Sequence, residues 1–99
     1  MRDITDDEFE GVVASGRVLV DFYSTWCQPC KPLATLLERL EPENPGIIFV
    51  KVNVDEHMLH ASRHGVGALP TLILFEDGEP INRQLGGLNA SALKEWLGV

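Results

Sequence analysis

Residues 18–31 read VLVDFYSTWCQPCK, an apolar run interrupted by one carboxylate, Asp21, that leads directly into two cysteines spaced Cys-x-x-Cys. The segment RVLVDFY (17–23) has the β-rich, nearly continuous apolar composition of a central strand buried on both faces. Beyond the cysteines, Leu33, Leu36, Leu37 and Leu40 fall at i, i+3, i+4 and i+7, which predicts an amphipathic helix that begins near Cys27 and ends before EPENPG. A buried strand therefore feeds a helix through the cysteine pair, and both fold and chemistry follow from that junction.

Working outward, Thr5 and Glu8 form a capping box, and Phe9, Val12 and Val13 continue at helical spacing, predicting a helix over 5–15 that stops at Gly16. IIFVKVNV (47–54) is a second buried strand, followed by a short helix over 56–64 ended by Gly65. TLILF (71–75), the turn EDGE and PINRQL (80–85) make a hairpin, with Asp77-Gly78 supplying the turn chemistry. Asn89 caps a last helix whose Leu93, Trp96 and Leu97 face inward, with Leu88 packing on Leu93 as a hydrophobic staple. The order is α-β-α-β-α-β-β-α, preceded by a stub of strand at Arg2 to Ile4. Helix-linked strands lie parallel and a hairpin adds antiparallel ones, so the expectation is an α/β fold with a mixed sheet covered by helices on both faces. No repeat, low-complexity tract or linker divides residues 1–99, which read as one domain.

A chain of 99 residues, 44% hydrophobic, can bury a core without a metal or disulfide framework. A bridge between Cys27 and Cys30 would close a loop of only about four residues and would stabilise little, so a structural staple is a poor reading. Fifteen acidic against eight basic side chains give a net charge of -7, which opposes binding to nucleic acid or anionic lipid. No apolar run approaches a membrane span, and the acidic start MRDITDDEFE resembles neither a signal nor a transit peptide. The expected setting is the cytoplasm, where a Cys-x-x-Cys pair more often serves metal or redox chemistry than architecture.

At a helix N-terminus, unpaired N–H groups and the helix dipole favour a thiolate, which points to Cys27 as an exposed nucleophile. Cys30, one turn on, is the sheltered second thiol. Cys27 attacks a substrate disulfide, Cys30 displaces the reduced substrate, and a Cys27–Cys30 bridge remains. Pro29 fixes the backbone between the sulfurs and suits a first helical turn. Gln28 is uncharged and adds little to thiolate stability, so a reductant is expected rather than a strong oxidant. A carboxylate in a central strand is anomalous, because burial penalises its charge and raises its pKa. Six residues before Cys27, Asp21 is placed to accept the Cys30 proton. Lys51, on the neighbouring strand, is its candidate partner and would pull that pKa back down.

Metal is the rival reading, since His57, His60 and His64 share a face of the third helix and His60-x-x-x-His64 follows a Cys-x-x-Cys. The gap from Cys30 to His60 is about twice the usual zinc-finger spacing, and the histidines read as a solvated helix face.

Taken in order, VDF ahead of WCxPCK, then VKVNVD, GVGALPTLILFEDGE and the Gly86-Gly87 segment give a chain that resembles the thioredoxin family over essentially its full length. The resemblance implies the thioredoxin fold, a mixed central sheet of four to five strands flanked by four helices, with a cis peptide before Pro70. It implies a docking surface of Trp26, Leu69, Pro70 and Gly86, with Gln28 and Pro29 between the cysteines also meeting substrate. It further implies a protein-disulfide reductase without bound cofactor, acting as a monomer on disulfide-containing proteins and recharged by a thioredoxin reductase. The departures are Gln28 where most relatives have Gly, Tyr23 where many have Trp, a nearly absent first strand, and Thr35 where a helix-kinking proline is common. A non-catalytic binding module of the same fold, or an isomerase or oxidant, is the alternative function.

Overall fold

The computed structural model describes residues 1–99. In chain order the elements are β1 (Arg2–Asp3), α1 (Asp6–Val13), β2 (Arg17–Tyr23), α2 (Cys30–Leu40), a 3₁₀ turn (Glu41–Glu43), β3 (Ile47–Asn53), α3 (Leu59–Arg63), β4 (Thr71–Glu76), β5 (Glu79–Leu85) and α4 (Ala90–Leu97). They form one five-stranded sheet of order β1-β3-β2-β4-β5. β1 and β2 run parallel to β3, while β4 is antiparallel to both β2 and β5, so the expected mixed sheet is observed. The segment whose composition suggested a doubly buried strand is the central one.

Alternation along β2 explains the two cores. Val18, Val20 and Phe22 face one side, where Phe9 and Val13 of α1 and Ala61 of α3 cover them. Leu19 faces the other, beneath Leu33, Leu37 and Leu40 of α2 and Leu93 and Leu97 of α4. Asp21 shares the Leu19 side by the same alternation.

The caps appear as their residues require. The Thr5 side chain accepts from the Glu8 N–H while Glu8 answers to the Thr5 backbone, and Asn89 accepts from the Ala92 N–H at 2.8 Å. Leu88 packs against the core that contains Leu93. Trp96 lies only partly buried at the margin of that core, less deeply than its spacing suggests. The β4–β5 turn carries positive φ at both Asp77 (49°) and Gly78 (87°), the conformation that suits a two-residue hairpin. Asp77 Oδ1 also accepts from the Gly16 N–H at 2.8 Å, tying this turn to the one between α1 and β2. In β5 the register shifts beside Phe75, leaving Ile81 as a bulge.

The third helix differs from expectation. It is five residues long, contains only His60 of the three histidines, and buries that one instead of presenting it to solvent, with half-buried His64 as its C-cap. His60 is buried at 4% exposure against Phe9, and His64 packs edge-on against Phe75 at 5.3 Å. His57 sits outside the helix, its Nδ1 accepting weakly from the Asp6 N–H at 3.5 Å. Short helices are held by what they pack on rather than by their own propensity, and α1 supplies that surface here. Burial of His64 near His60 and Arg83 holds its pKa below the usual histidine value.

Candidate active site

Where β2 ends, the chain turns tightly through Ser24 to Pro29. The Cys27 N–H donates to the Ser24 carbonyl at 3.4 Å, the Cys30 N–H to the Cys27 carbonyl at 3.3 Å, and the Lys31 N–H to the Gln28 carbonyl at 3.2 Å. Pro29 is the N-cap, with φ -69° and ψ -14°, so its ring holds the helical conformation one residue before the helix begins. Cys30 is the first helical residue. Cys27 thus lies three residues ahead of α2, in the lead-in turn rather than on the helix itself, within the reach of its positive end.

The two sulfurs are bonded, with the Cα atoms 5.4 Å apart. Cys27 is 5% and Cys30 3% exposed, so the expected contrast between an open and a sheltered cysteine does not hold in this oxidised state. The contrast lies instead in which surface each one meets. Cys27 lines an apolar groove of about 510 Å³ with Trp26, Gln28, Pro29 and Leu69. Cys30 lines a separate recess of about 240 Å³ with Tyr23, Lys31 and Lys51.

The groove gathers four of the six expected docking residues. Trp26 is 69% exposed, and its Nε1–H donates to Asp55 Oδ2 at 2.7 Å, which fixes the indole as one wall. Leu69 precedes a cis peptide to Pro70, as the resemblance implied. Pro70 and Gly86 stand beside the groove without lining it; they are joined by the Gly86 N–H donating to the Pro70 carbonyl at 2.9 Å. The groove is also lined by Val54, Val66, Gly67 and Ala68, which are not among the residues expected from the sequence. Their signal was adjacency: three immediately precede Leu69, and Val54 follows the strand that carries Lys51.

Asp21 is fully buried, and no protein group donates to either carboxylate oxygen. Burial pushes its pKa up to about 7, against the pull of Lys51 and with a further push from Asp3. Lys51 is the direct cross-strand neighbour of Asp21. Its ammonium nevertheless reaches the other way, to Asp3 Oδ2 at 3.8 Å, and lies 5.2 Å from the centre of the Tyr23 ring. Tyr23 donates its hydroxyl proton to Asp3 Oδ1, and burial together with this bond raises the tyrosine's pKa. The buried hydroxyl of Ser24, next along the chain from Tyr23, has no protein partner either.

The site is therefore a buried disulfide at a strand-to-helix junction, on a groove lined by the residue that precedes a cis proline. The thioredoxin family model matches residues 1–98. The chain belongs to the thioredoxin family. It is 43% identical over 86 residues to a thioredoxin of Chlamydia caviae, covering 87% of this chain and 84% of that one. A Staphylococcus epidermidis thioredoxin is 43% identical over 84 residues, with 84% and 81% covered. Among solved structures, oxidised mitochondrial thioredoxin 3 from Saccharomyces cerevisiae superposes with a TM-score of 0.90 at 34% identity, covering 99% and 93% of the two chains. Plasmodium falciparum thioredoxin gives 0.92 at 30% identity, with 99% and 97% covered. As a thioredoxin-family thiol–disulfide oxidoreductase, the protein carries out dithiol–disulfide exchange, with Cys27 and Cys30 as its redox pair.

Proposed function

We propose that this protein is a protein-disulfide reductase in which Cys27 attacks and Cys30 resolves. The Cys27 thiolate attacks one sulfur of a substrate disulfide and expels the other as a thiolate, giving a mixed disulfide. Cys30, losing its proton, attacks Cys27; the Cys27–substrate bond breaks, and the substrate leaves as a dithiol after protonation. Two electrons pass from protein to substrate, and the Cys27–Cys30 bridge stores the oxidation. The observation that carries this reading is the division of surfaces: Cys27 on an apolar groove open to a substrate chain, Cys30 on a recess behind it.

Asp21 is the base that takes the Cys30 proton, directly or through water. A carboxyl with a pKa of about 7 can hold or release a proton at neutral pH, and this one lies on the sheet face that α2 covers. Lys51 supports it by limiting how far burial raises that pKa. Substrate backbone lies along Leu69 and Pro70, with Trp26, Gln28, Pro29 and Gly86 forming the contact surface. Residues 1–99 act as one thioredoxin domain, a monomer of the cytoplasm, with a thioredoxin reductase restoring the dithiol. No helix is long and apolar enough to cross a membrane.

Insulin reduction by dithiothreitol tests the assignment. The protein should accelerate it catalytically, and Cys27→Ser should return the rate to that of dithiothreitol alone; equal rates for the two proteins would end the enzyme claim. Cys30→Ser should instead accumulate covalent mixed disulfides with substrate, and a variant that turns over normally would remove Cys30 from its role.

A further inference from the structure

Across one level of the sheet, Asp3 of β1, Lys51 of β3, Asp21 of β2 and Leu72 of β4 stand side by side in register. Period-two alternation puts their side chains on the same face, so one ammonium stands between two carboxylates. The lysine is committed to one of them. Its Nζ lies 3.8 Å from Asp3 Oδ2, whereas neither oxygen of Asp21 has a hydrogen-bond partner. Asp3 is itself held in place, since Oδ1 accepts from the Tyr23 hydroxyl. The backbone on either side is fixed as well: Ile4 is buried, and its N–H donates to the Lys51 carbonyl at 2.9 Å.

We propose that Asp3 is a positioning residue for the exchange reaction, its tyrosine-anchored carboxylate holding the Lys51 ammonium away from Asp21 so that the buried carboxyl has no bonded counter-charge. The inference rests on Asp21 being the base of the preceding section. A lysine bonded to Asp21 would favour the carboxylate and make it a poor proton acceptor. The terminal two-residue strand, far from the cysteines in sequence, thereby acts on the proton step. The other titratable groups around this row are Tyr23 from β2 itself, Glu56 and His57 from the loop after β3, which share a recess with Asp3 and Tyr23, and, from α2, Lys31 and the Cys30 thiol when reduced; β4 opposes it with Leu72. Asp3 pushes the Asp21 pKa up and Lys51 pulls it down, in keeping with the geometry.

The test is a carbon-13 NMR titration of the Asp21 carboxyl in the oxidised protein, where neither cysteine titrates. Asp3→Asn keeps the shape of the side chain and an acceptor for Tyr23 while removing its charge. It should lower the Asp21 midpoint by about half a pH unit or more, since it removes a like charge and frees the lysine. The same substitution made in a Lys51→Gln background should shift it by clearly less, because only the like-charge effect remains. An unmoved or raised midpoint in Asp3→Asn, or equal shifts in the two backgrounds, would overturn the proposal. The pH profile of mixed-disulfide release separates this from the underlying reading. If the midpoint falls while the release profile stays put, Asp3 positions the lysine as stated and it is Asp21 that loses its role as base.

Discussion

The imidazole of His60 lies flat on the ring of Phe9, with the centroids 4.2 Å apart and the planes 10° from parallel. The ring of Phe9 also meets Phe75 edge-on at 5.7 Å, so one phenylalanine of α1 joins α3 to the central sheet. Removing the imidazole should leave a cavity in that stack. His60→Ala is expected to cost about 2–3 kcal/mol in denaturant unfolding while insulin reduction by the folded protein is retained. A change below about 0.5 kcal/mol would show that the stack carries no stability.

Asp21 sets a pH dependence of stability. Its folded pKa of about 7 lies above the unfolded value near 3.8, so between these values the native state binds more protons than the unfolded chain. The buried carboxyl is tolerated best when protonated, and stability falls as pH rises from about 4 through about 7, by up to about 4 kcal/mol in all. Asp21→Asn should therefore raise the midpoint of thermal unfolding at pH 8 and change it little at pH 4. In single-turnover exchange the same variant should slow release of the mixed disulfide more than its formation. Unchanged release would remove Asp21 from the proton step.

The hydrogen bond between Trp26 and Asp55 crosses from the lead-in turn to the loop after β3. Both groups are exposed, so Asp55→Ala should alter stability by less than about 1 kcal/mol. Its effect should fall on substrate binding, because the indole loses the contact that orients it. We expect KM for a protein disulfide to rise about two- to fivefold, with the rate toward a small disulfide unchanged; equal effects on both would place the defect at the cysteines instead.

The hairpin turn gives a test free of chemistry. Asp77→Gly keeps the positive φ accessible but removes the acceptor for the Gly16 N–H, and should cost about 1 kcal/mol. Gly78→Val places a β-branched residue at φ 87° and should cost more, about 1–3 kcal/mol. The reverse ranking in urea unfolding would contradict this account of the turn.

Much of this fold is legible in the sequence itself. Strands, caps and the hairpin are local: Thr5 with Glu8, Asn89, and Asp77-Gly78 carry their instructions within a few residues. Asp21 was legible for the opposite reason, as the one residue that violated the apolar pattern around it. The cis bond at Pro70 followed only from family resemblance, because nothing in ALPT sets it apart from an ordinary turn. The histidines were misread because burial of His60 depends on Phe9, some fifty residues away, and no local period announces that contact. The choice of Lys51 between Asp21 and Asp3 was hidden for a related reason. A two-residue strand is too short to leave a pattern, so its carboxylate was not expected beside the lysine.

The bulge at Ile81 has a bearing on how the molecule lives at high concentration. A flat outer strand invites the backbone of another copy to hydrogen-bond along it, the first step toward aggregation. Here β5 is interrupted by Pro80, which has no N–H to offer, and twisted by the adjacent bulge, while β1 at the far side of the sheet is two residues long. Neither margin presents a long ladder for a copy to extend, so the sheet guards itself against fibre-like stacking without help from the groove that must remain open to substrate.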